Sequence, residues 1–458
     1  MHDRVFGSAP IKRVVLGGGA AFAVHVAAVG TAYCSQLLIA RMIGVDSFGI
    51  YAYVTATMVV LAYLAALGFD VALLRFVPVY EAQQRWDLLK GVISYAQRRV
   101  GAVALAVTLI GVLVTAVRYA DASLELRNAF FVGYLLVPIW ALLWIRCSAV
   151  RAFGGVVWSI APDRLTREGI VIGLVALATT SLGLHVDAPQ VIVAMLFSSG
   201  IGLAATSLAM RQLRPRAADN VDPIYDAAAW RRVTLPLVII GAAEAMMNRT
   251  GVLILGWLGD IKGAGIYSVA FNIAFVVALP RIAFNTLFAP AISSFFTRKD
   301  QATLRLLAAS AASWTFVAAA CIAIVLAVMA EPLLTWFGPD LKAGVPALRI
   351  LLLGQTLAAG AGSQMYLMTM TGHERSAAAL LVLSAIVNGI SSAALISSFG
   401  LIGAASATSA SLIVWNAAMA FFLWRRLRLP PGVLAMLRPP SKDEVPHTRP
   451  EVSSAVTS

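Results

Sequence analysis

The sequence predicts an all-α, polytopic membrane protein with about twelve transmembrane helices arranged as two six-helix bundles. Of its 458 residues, 60% are hydrophobic and only 12% are charged. A soluble domain carries about 25% charged and about 45–50% apolar residues, so this chain cannot cover itself with polar surface in water. Small residues that let helices pack closely in lipid are plentiful, and the alternating strands of a membrane barrel are not visible.

About twelve apolar stretches reach the length of about 20 residues that a spanning helix needs. Residues 1–29 imitate a signal peptide, but the apolar run continues to about residue 40, so we interpret it as a retained first helix. The predicted spans are 15–40, 49–68, 99–119, 128–149, 163–183, 190–210, 234–257, 265–288, 306–329, 345–369, 377–398 and 402–424.

The net charge of +13 indicates topology rather than a nucleic-acid partner. With a cytoplasmic N-terminus, most of the 35 Lys and Arg residues fall in the inner loops. This asymmetry follows the positive-inside rule and predicts that both termini are cytoplasmic, in contact with anionic membrane lipids. The predicted regions are a cytoplasmic N-terminus (1–14), a first bundle (15–212), a cytoplasmic linker (213–232), a second bundle (233–428) and a disordered cytoplasmic tail (429–458).

Two similar fragments, "ARMIGVDSFGIYAY" and "LGDIKGAGIYSVA", indicate an internal repeat. Gly49-Ile-Tyr51 and Gly265-Ile-Tyr267 each open a helix after an apolar helix and a glycine turn, about half the membrane region apart. Six helices per half is an even number, so the halves are predicted to be parallel repeats about an axis along the membrane normal. The motif itself is predicted to be structural, since glycine permits the tight turn.

These residues also carry a family resemblance. "IARMIGVDSFGIYAY" and "LAALGFDVALLRFVPVY" resemble the first two helices of polysaccharide-biosynthesis membrane proteins, the Wzx-type flippases of O-antigen (lipopolysaccharide) and exopolysaccharide synthesis. That family shares a superfamily with multidrug-and-toxin extrusion (MATE) transporters and MurJ-like lipid II flippases. "LGWLGDIKGAGIYSVAFNIAF" is similar to its seventh and eighth helices and "GLIGAASATSAS" to its last, so the resemblance covers about 15–425.

The resemblance implies a MATE-like, V-shaped pair of bundles in the bacterial inner membrane. Such a protein moves a polyprenyl-diphosphate-linked oligosaccharide to the outer leaflet, and polysaccharide polymerase machinery is a candidate partner. The sequence leaves three energy sources open, which are H+ antiport, Na+ antiport and the substrate gradient alone. Each sugar hydroxyl transferred into hydrocarbon without a hydrogen-bond partner costs about 4–8 kcal/mol, so the head group needs a polar groove. The diphosphate needs cations in that groove.

Span seven has the largest set of intramembrane polar residues. Ionisable groups at a helix centre cost about 2.5–3.5 kcal/mol and are functional candidates by default. At 100° per residue, Gly241, Glu244, Asn248, Arg249 and Gly251 fit one half of the helix. The hypothesis is that Arg249 and Asn248 contact the diphosphate, with Glu244 as a proton or cation site beside them. The alternative is an internal pair that holds helices together.

Span one offers His25 and Gln36, which lie within about 20° of each other around the helix. In the resembled fold both would face the central cleft, with His25 as a candidate for substrate contact and proton coupling. A lone histidine is also common as a structural residue. Amides that line the groove or bridge helices are Asn272, Gln364, Asn388 and Asn416.

Charged residues at the inner ends of spans two and four form a candidate ring that collects an anionic head group. Asp70 and Arg75 close span two, and Arg146 and Arg151 close span four. Asp70 is also a candidate ion-coupling residue. The positive-inside rule alone is the simpler explanation for these arginines. Arg281 is either a cavity residue or a helix end that reaches the interface.

Other function classes fit less well. The sequence has no Gly-Lys dipeptide and therefore no phosphate-binding loop for ATP. The predicted outer loops are short and poor in carboxylates, so we expect no enzyme. Three distant cysteines offer neither a metal motif nor a disulfide framework, and we expect no cofactor. A MATE-type cation-coupled antiporter of small molecules remains the alternative; it would favour buried carboxylates such as Glu244 and Asp70 over Arg249.

Overall fold

The computed structural model describes residues 30–31, 34–284, 301–427 and 432, and this part of the chain is helical with no β-strand. The predictions for residues 1–14, for His25 and for nearly all of the tail 429–458 lie outside these residues. The helices are α1 Cys34–Ile43, α2 Val45–Ala65, α3 Phe69–Ala82, α4 Trp86–Arg118, α5 Leu124–Tyr134, α6 Leu136–Ala152, α7 Val156–Ile160, α8 Arg167–Ala176, α9 Ala188–Leu213, α10 Ala227–Trp257, α11 Ile261–Phe275, α12 Gln301–Val328, α13 Ala330–Phe337, α14 Val345–Ala361, α15 Gln364–Met370 and α16 Glu374–Leu427.

Within the described residues, nine helical segments are long and apolar enough to cross a membrane. Three differences separate this number from the predicted twelve. Predicted span 15–40 lies mostly outside the described residues, and predicted span 163–183 is interrupted by two π-helical turns. The last two predicted spans run together in α16, which kinks at Gly400 with a φ of 53°. The all-α membrane fold is confirmed, and the count of twelve stays a prediction.

The predicted linker 213–232 packs against the start of α4. A helix of 33 residues is about 50 Å long, more than the roughly 30 Å hydrocarbon core, so α4 extends beyond the membrane. Lys90 Nζ donates to the backbone carbonyls of Asp219 and Val221 at 3.0 and 2.9 Å, and Ile224 N donates to Asp87 O at 3.1 Å. The connection between the two predicted bundles is therefore held by backbone contacts.

The two Gly-Ile-Tyr motifs meet in space where α2 packs against α11. A Cβ atom added to Gly49 would lie 2.2 Å from Ile261 O, and one added to Gly265 would lie 2.8 Å from Gly49 Cα. Only glycine allows the two backbones to approach this closely. We call this contact between Gly49, Ile261 and Gly265 the glycine contact; it joins the two halves at one end of the bundle.

A candidate substrate cavity

Two adjoining cavities lie inside the helical bundle. The N cavity has a volume of about 690 Å³ and is lined by α2, α3, α6 and the segment leading into α8, with Arg249 from α10. The C cavity has a volume of about 280 Å³ and is lined by α10, α11, α14, α15 and α16, with Gln355 on its wall. Ile282 and Tyr366 line both cavities, so the two spaces are neighbours.

The N cavity reaches the surface at one end of the bundle. Arg151, in the last turn of α6, lines the cavity and is exposed. Ser148 Oγ, one turn earlier, donates to the backbone carbonyl of Asp70 at the start of α3. The end of α10 lies at the opposite side, where a Cβ on Gly256 would meet the Tyr53 ring. The glycine contact lies at that opposite end, whereas Asp70 and Arg151 line the cavity towards its exposed end.

A buried ionic cluster forms part of the N-cavity wall. Arg167 donates from Nη1 to Asp163 Oδ1 at 3.1 Å and from Nη2 to Glu168 Oε1 at 2.9 Å. Asp163 is 9% exposed and Glu168 is 3% exposed. The guanidinium lies 5.5 Å from the centre of the Trp140 ring, whose Nε1 donates to Ser199 Oγ at 3.0 Å. Tyr51 of the first Gly-Ile-Tyr motif lies close to the same charges.

Local backbone geometry places this cluster. Residues Ala161–Thr166 form a π-helical turn that begins with Ala161-Pro162 and leads directly into α8. π-helical turns are rare and occur often at functional sites. Taking charges out of water costs several kcal/mol per ion even after relaxation, so such a cluster is weak evidence for stability. An intramembrane charge cluster beside a cavity is instead a candidate functional site.

The formal charges around the N cavity cancel. Three arginines, Arg151, Arg167 and Arg249, face three carboxylates. The carboxylates are Asp70, Asp163 and Glu168. The sequence analysis missed Asp163, Arg167 and Glu168 because they fall at the edge of predicted span 163–183. A signal was present in the sequence, since Asp163 and Arg167 are four residues apart and pair on one helical face.

The structure divides the candidate residues of span seven between the two cavities. Arg249 lines the N cavity, whereas Glu244 and Asn248 line the C cavity. Asn248 Nδ2 donates to the backbone carbonyl of Glu244 at 2.9 Å. Five residues along a helix amount to a rotation of about 140°, which is too wide for one small cavity. Glu244 is therefore not placed beside Arg249 in the same space.

The remaining candidates fall into three groups. Gln36, Asp70 and Arg151 line the N cavity, and Asn272 Nδ2 donates to Gln36 Oε1, linking α11 to α1. Arg281 lines the C cavity. The two arginines that line neither cavity are Arg75, exposed on α3, and Arg146, which donates to Ser207 Oγ and links α6 to α9.

In the part of the chain that the structure describes, no three His, Cys, Asp or Glu side chains are grouped so that they could hold a metal ion.

The sequence profile of a family described as polysaccharide biosynthesis protein matches residues 15–296, more than half of the chain. The chain belongs to the polysaccharide biosynthesis protein family. The match covers the N-cavity lining other than Tyr366, and both Gly-Ile-Tyr motifs. No curated protein matches the chain significantly.

Solved structures of MATE transporters share the fold of this family member. An inward-facing multidrug resistance MATE family transporter of the MOP superfamily is 14% identical to this chain. The alignment covers 87% of this chain and 94% of the transporter chain, with a TM-score of 0.69. The MATE multidrug transporter DinF-BH is 16% identical, and the alignment covers 93% of this chain and 98% of the transporter chain with a TM-score of 0.60. An outward-facing MATE transporter is 12% identical, and the alignment covers 88% of this chain and 95% of the transporter chain with a TM-score of 0.57. The protein thus has the MATE-like fold that the sequence predicts. Family and fold together are those of multi-pass membrane transporters.

Proposed function

We propose that this protein is a flippase that moves a polyprenyl-diphosphate-linked oligosaccharide across the bacterial inner membrane for surface polysaccharide biosynthesis. The observation that carries the proposal is the N cavity, an arginine-bearing space of about 690 Å³ inside a membrane bundle. It reaches the surface beside Arg151, and the glycine contact lies at the opposite end of the bundle. Membership of the polysaccharide biosynthesis protein family supports the same function.

The task requires a polar route for the head group. Sugar hydroxyls without partners cost about 4–8 kcal/mol each in hydrocarbon, whereas the polyprenyl tail can stay in the bilayer. The N cavity falls within the range of about 300–1,000 Å³ that is typical of small-molecule sites. It has room for the diphosphate and part of the saccharide.

The arginines are suited to a diphosphate. A guanidinium offers bidentate hydrogen bonds that match phosphate oxygens and is always charged. Arg151 lies at the exposed end of the cavity, and Arg249 lies in the second half of α10, towards the opposite end. From these positions we assign Arg151 to the first contact with the head group and Arg249 to the deeper diphosphate contact.

The equal numbers of arginines and carboxylates in the N cavity suit a transport cycle that is coupled to an ion. A diphosphate that enters a cavity with no net formal charge brings excess negative charge. Binding of H+ or Na+ at a carboxylate compensates part of that charge. Asp70, the least buried of the three N-cavity carboxylates, is the first candidate, and Glu244 and His25 are retained from the sequence. For the head group to leave on the outer side, α2 and α11 must separate at the glycine contact. In this proposal both termini are cytoplasmic, and polymerase machinery receives the product on the outer side.

One observation favours a second candidate, a MATE-type cation-coupled antiporter that exports small molecules. The N cavity has as many carboxylates as arginines, and buried carboxylates suit cationic substrates. The solved structures that share the fold include MATE multidrug transporters.

Complementation of a deletion strain separates the two candidates. We expect deletion to accumulate lipid-linked oligosaccharide on the inner leaflet, and the wild-type gene to reverse this. Arg249→Ala should fail, since a lost charge-assisted hydrogen bond is worth about 1.5–3 kcal/mol, roughly 10- to 100-fold in transport rate. Arg249→Lys should restore part of the transport.

Arg232→Ala is the matched control, because Arg232 is exposed near the start of the same helix; it should complement fully. Full complementation by Arg249→Ala would disprove the diphosphate role of Arg249. A deletion strain with normal lipid-linked oligosaccharide and increased sensitivity to cationic drugs would instead identify the antiporter.

A further inference from the structure

The C cavity has a different chemistry from the N cavity. Its walls carry amides, aromatic rings and methionines, among them Gln355, Asn416, Tyr366, Trp415 and Met419. It contains one cation and one carboxylate, from Arg281 and Glu244. The C cavity has a single arginine where the N cavity has three, and a site for a purely apolar ligand would not need buried amides.

Gln355 is the clearest sign of a ligand. It lies on α14, is 4% exposed and lines the C cavity. Its side-chain amide forms no hydrogen bond with any other residue that the structure describes. An amide carries two donor hydrogens and an acceptor oxygen, and a buried amide without partners is unfavourable. The cavity is therefore where the partners of this amide must come from.

Neighbouring polar groups are also incompletely paired. Asn416 is 2% exposed and donates from Nδ2 to Leu412 O at 2.8 Å, which leaves further hydrogen-bonding capacity on its amide. Trp415 Nε1 and Ser363 Oγ are buried and have no hydrogen-bond partner among the described residues. Several unsatisfied groups around one space need a common explanation.

We propose that the C cavity binds a sugar ring of the substrate whose diphosphate occupies the N cavity, an assignment that rests on the proposed flippase function. A sugar ring has hydroxyl groups that both donate and accept hydrogen bonds, which matches the amides of Gln355 and Asn416. It also has an apolar C–H face, which matches the rings of Tyr366 and Trp415. These rings have an apolar body and a polar end, as a ligand of mixed polarity requires.

The size and position of the C cavity fit part of a larger ligand. Its volume of about 280 Å³ is just below the range of about 300–1,000 Å³ for complete small-molecule sites. Tyr366 and Ile282 line both cavities, so a head group can extend from the arginines past the Tyr366 ring to Gln355.

The test compares two ligands with the full-length protein in lipid nanodiscs. One probe is undecaprenyl diphosphate without sugar, and the other is lipid-linked oligosaccharide extracted from the deletion strain. We expect Gln355→Leu, which keeps the side-chain size, to weaken binding of the glycosylated lipid about tenfold and to leave binding of the sugar-free lipid unchanged. Gln212→Leu, at the exposed end of α9, should change neither affinity.

The sugar-free lipid also reports that the variant is folded. Arg249→Ala should weaken the binding of both lipids, because both contain the diphosphate. If Gln355→Leu weakens the binding of both lipids equally, or of neither, the proposed sugar site is wrong and the flippase proposal is unaffected. If the wild-type protein binds neither lipid, the proposed function itself fails.

Discussion

The N and C cavities adjoin each other in one bundle, yet their chemistry differs. The N cavity is lined by three arginines and three carboxylates, whereas the C cavity is lined mainly by amides and aromatic rings. Equivalent tyrosines of the two Gly-Ile-Tyr motifs show the same divergence. Tyr51 lies against the ionic cluster of the N cavity, and the Tyr267 hydroxyl lies 2.8 Å from Thr408 Oγ1 on the C-cavity side.

The predicted repeat shows where the difference arises. Six helices later, predicted span 377–398 corresponds to span 163–183, which contains Asp163, Arg167 and Glu168. Span 377–398 contains no charged residue, and its buried polar residues include Asn388 and Ser392. The two halves share the motif that packs them together but not the residues that face their cavities. Packing and ligand chemistry are thus specified by different positions of the repeat.

The largest effect is expected from breaking the ionic cluster. Arg167→Met leaves two buried carboxylates without their partner, and we expect it to reduce the free energy of unfolding by about 3–5 kcal/mol. Denaturant unfolding in mixed micelles measures this. Combining it with Asp163→Asn and Glu168→Gln should recover most of the loss, because no unpaired charge remains.

The equivalent span of the second half supplies the matched control. Asn388 is fully buried, its Nδ2 has no partner among the described residues, and Ser392 Oγ lies 3.4 Å from its Oδ1. Asn388→Leu removes an unsatisfied donor and should change stability by less than about 1.5 kcal/mol. If Arg167→Met is no more harmful than Asn388→Leu, the N-cavity cluster is not held by its charges.

The fold was predictable from the sequence because hydropathy and helix length report directly on the bilayer. The site was predictable only in part. Arg249, Asp70 and Arg151 were identifiable as isolated charges, but Arg167 was not, because its burial depends on the packing of α8 against α9 and on the π-helical turn. Gln355 gives no signal in a sequence, since an amide reveals a missing partner only when its surroundings are known.

An intermediate effect is expected at the glycine contact, whose residues line neither cavity. Gly49→Ala places a Cβ atom 2.2 Å from Ile261 O, so α2 and α11 must separate. We expect a loss of about 1–3 kcal/mol in the free energy of unfolding. Because this contact belongs to neither cavity alone, the ratio of affinities for glycosylated and sugar-free lipid should stay unchanged.

Gly389→Ala is the control for this variant. Gly389 lies inside α16 with no atom within 4 Å of an added Cβ, and alanine favours a helix interior by about 0.5–1 kcal/mol. It should stabilise the protein slightly. A destabilisation by Gly49→Ala no larger than that of surface changes would mean that the two helices separate without cost.

The smallest effect is expected from Asp70→Asn, which tests whether formal charge distinguishes the cavities. The substitution leaves the N cavity with one more arginine than carboxylates and keeps the backbone carbonyl that accepts from Ser148. Affinity for undecaprenyl diphosphate should rise by about 1 kcal/mol, roughly fivefold, and the gain should shrink with added salt.

Glu81→Gln, on the same helix but outside the cavity, should have no effect. The preference for glycosylated over sugar-free lipid should not move, because it is assigned to the C cavity. A fall in affinity would show instead that the Asp70 carboxylate binds Na+ together with the anionic head group, because asparagine reproduces only the protonated side chain.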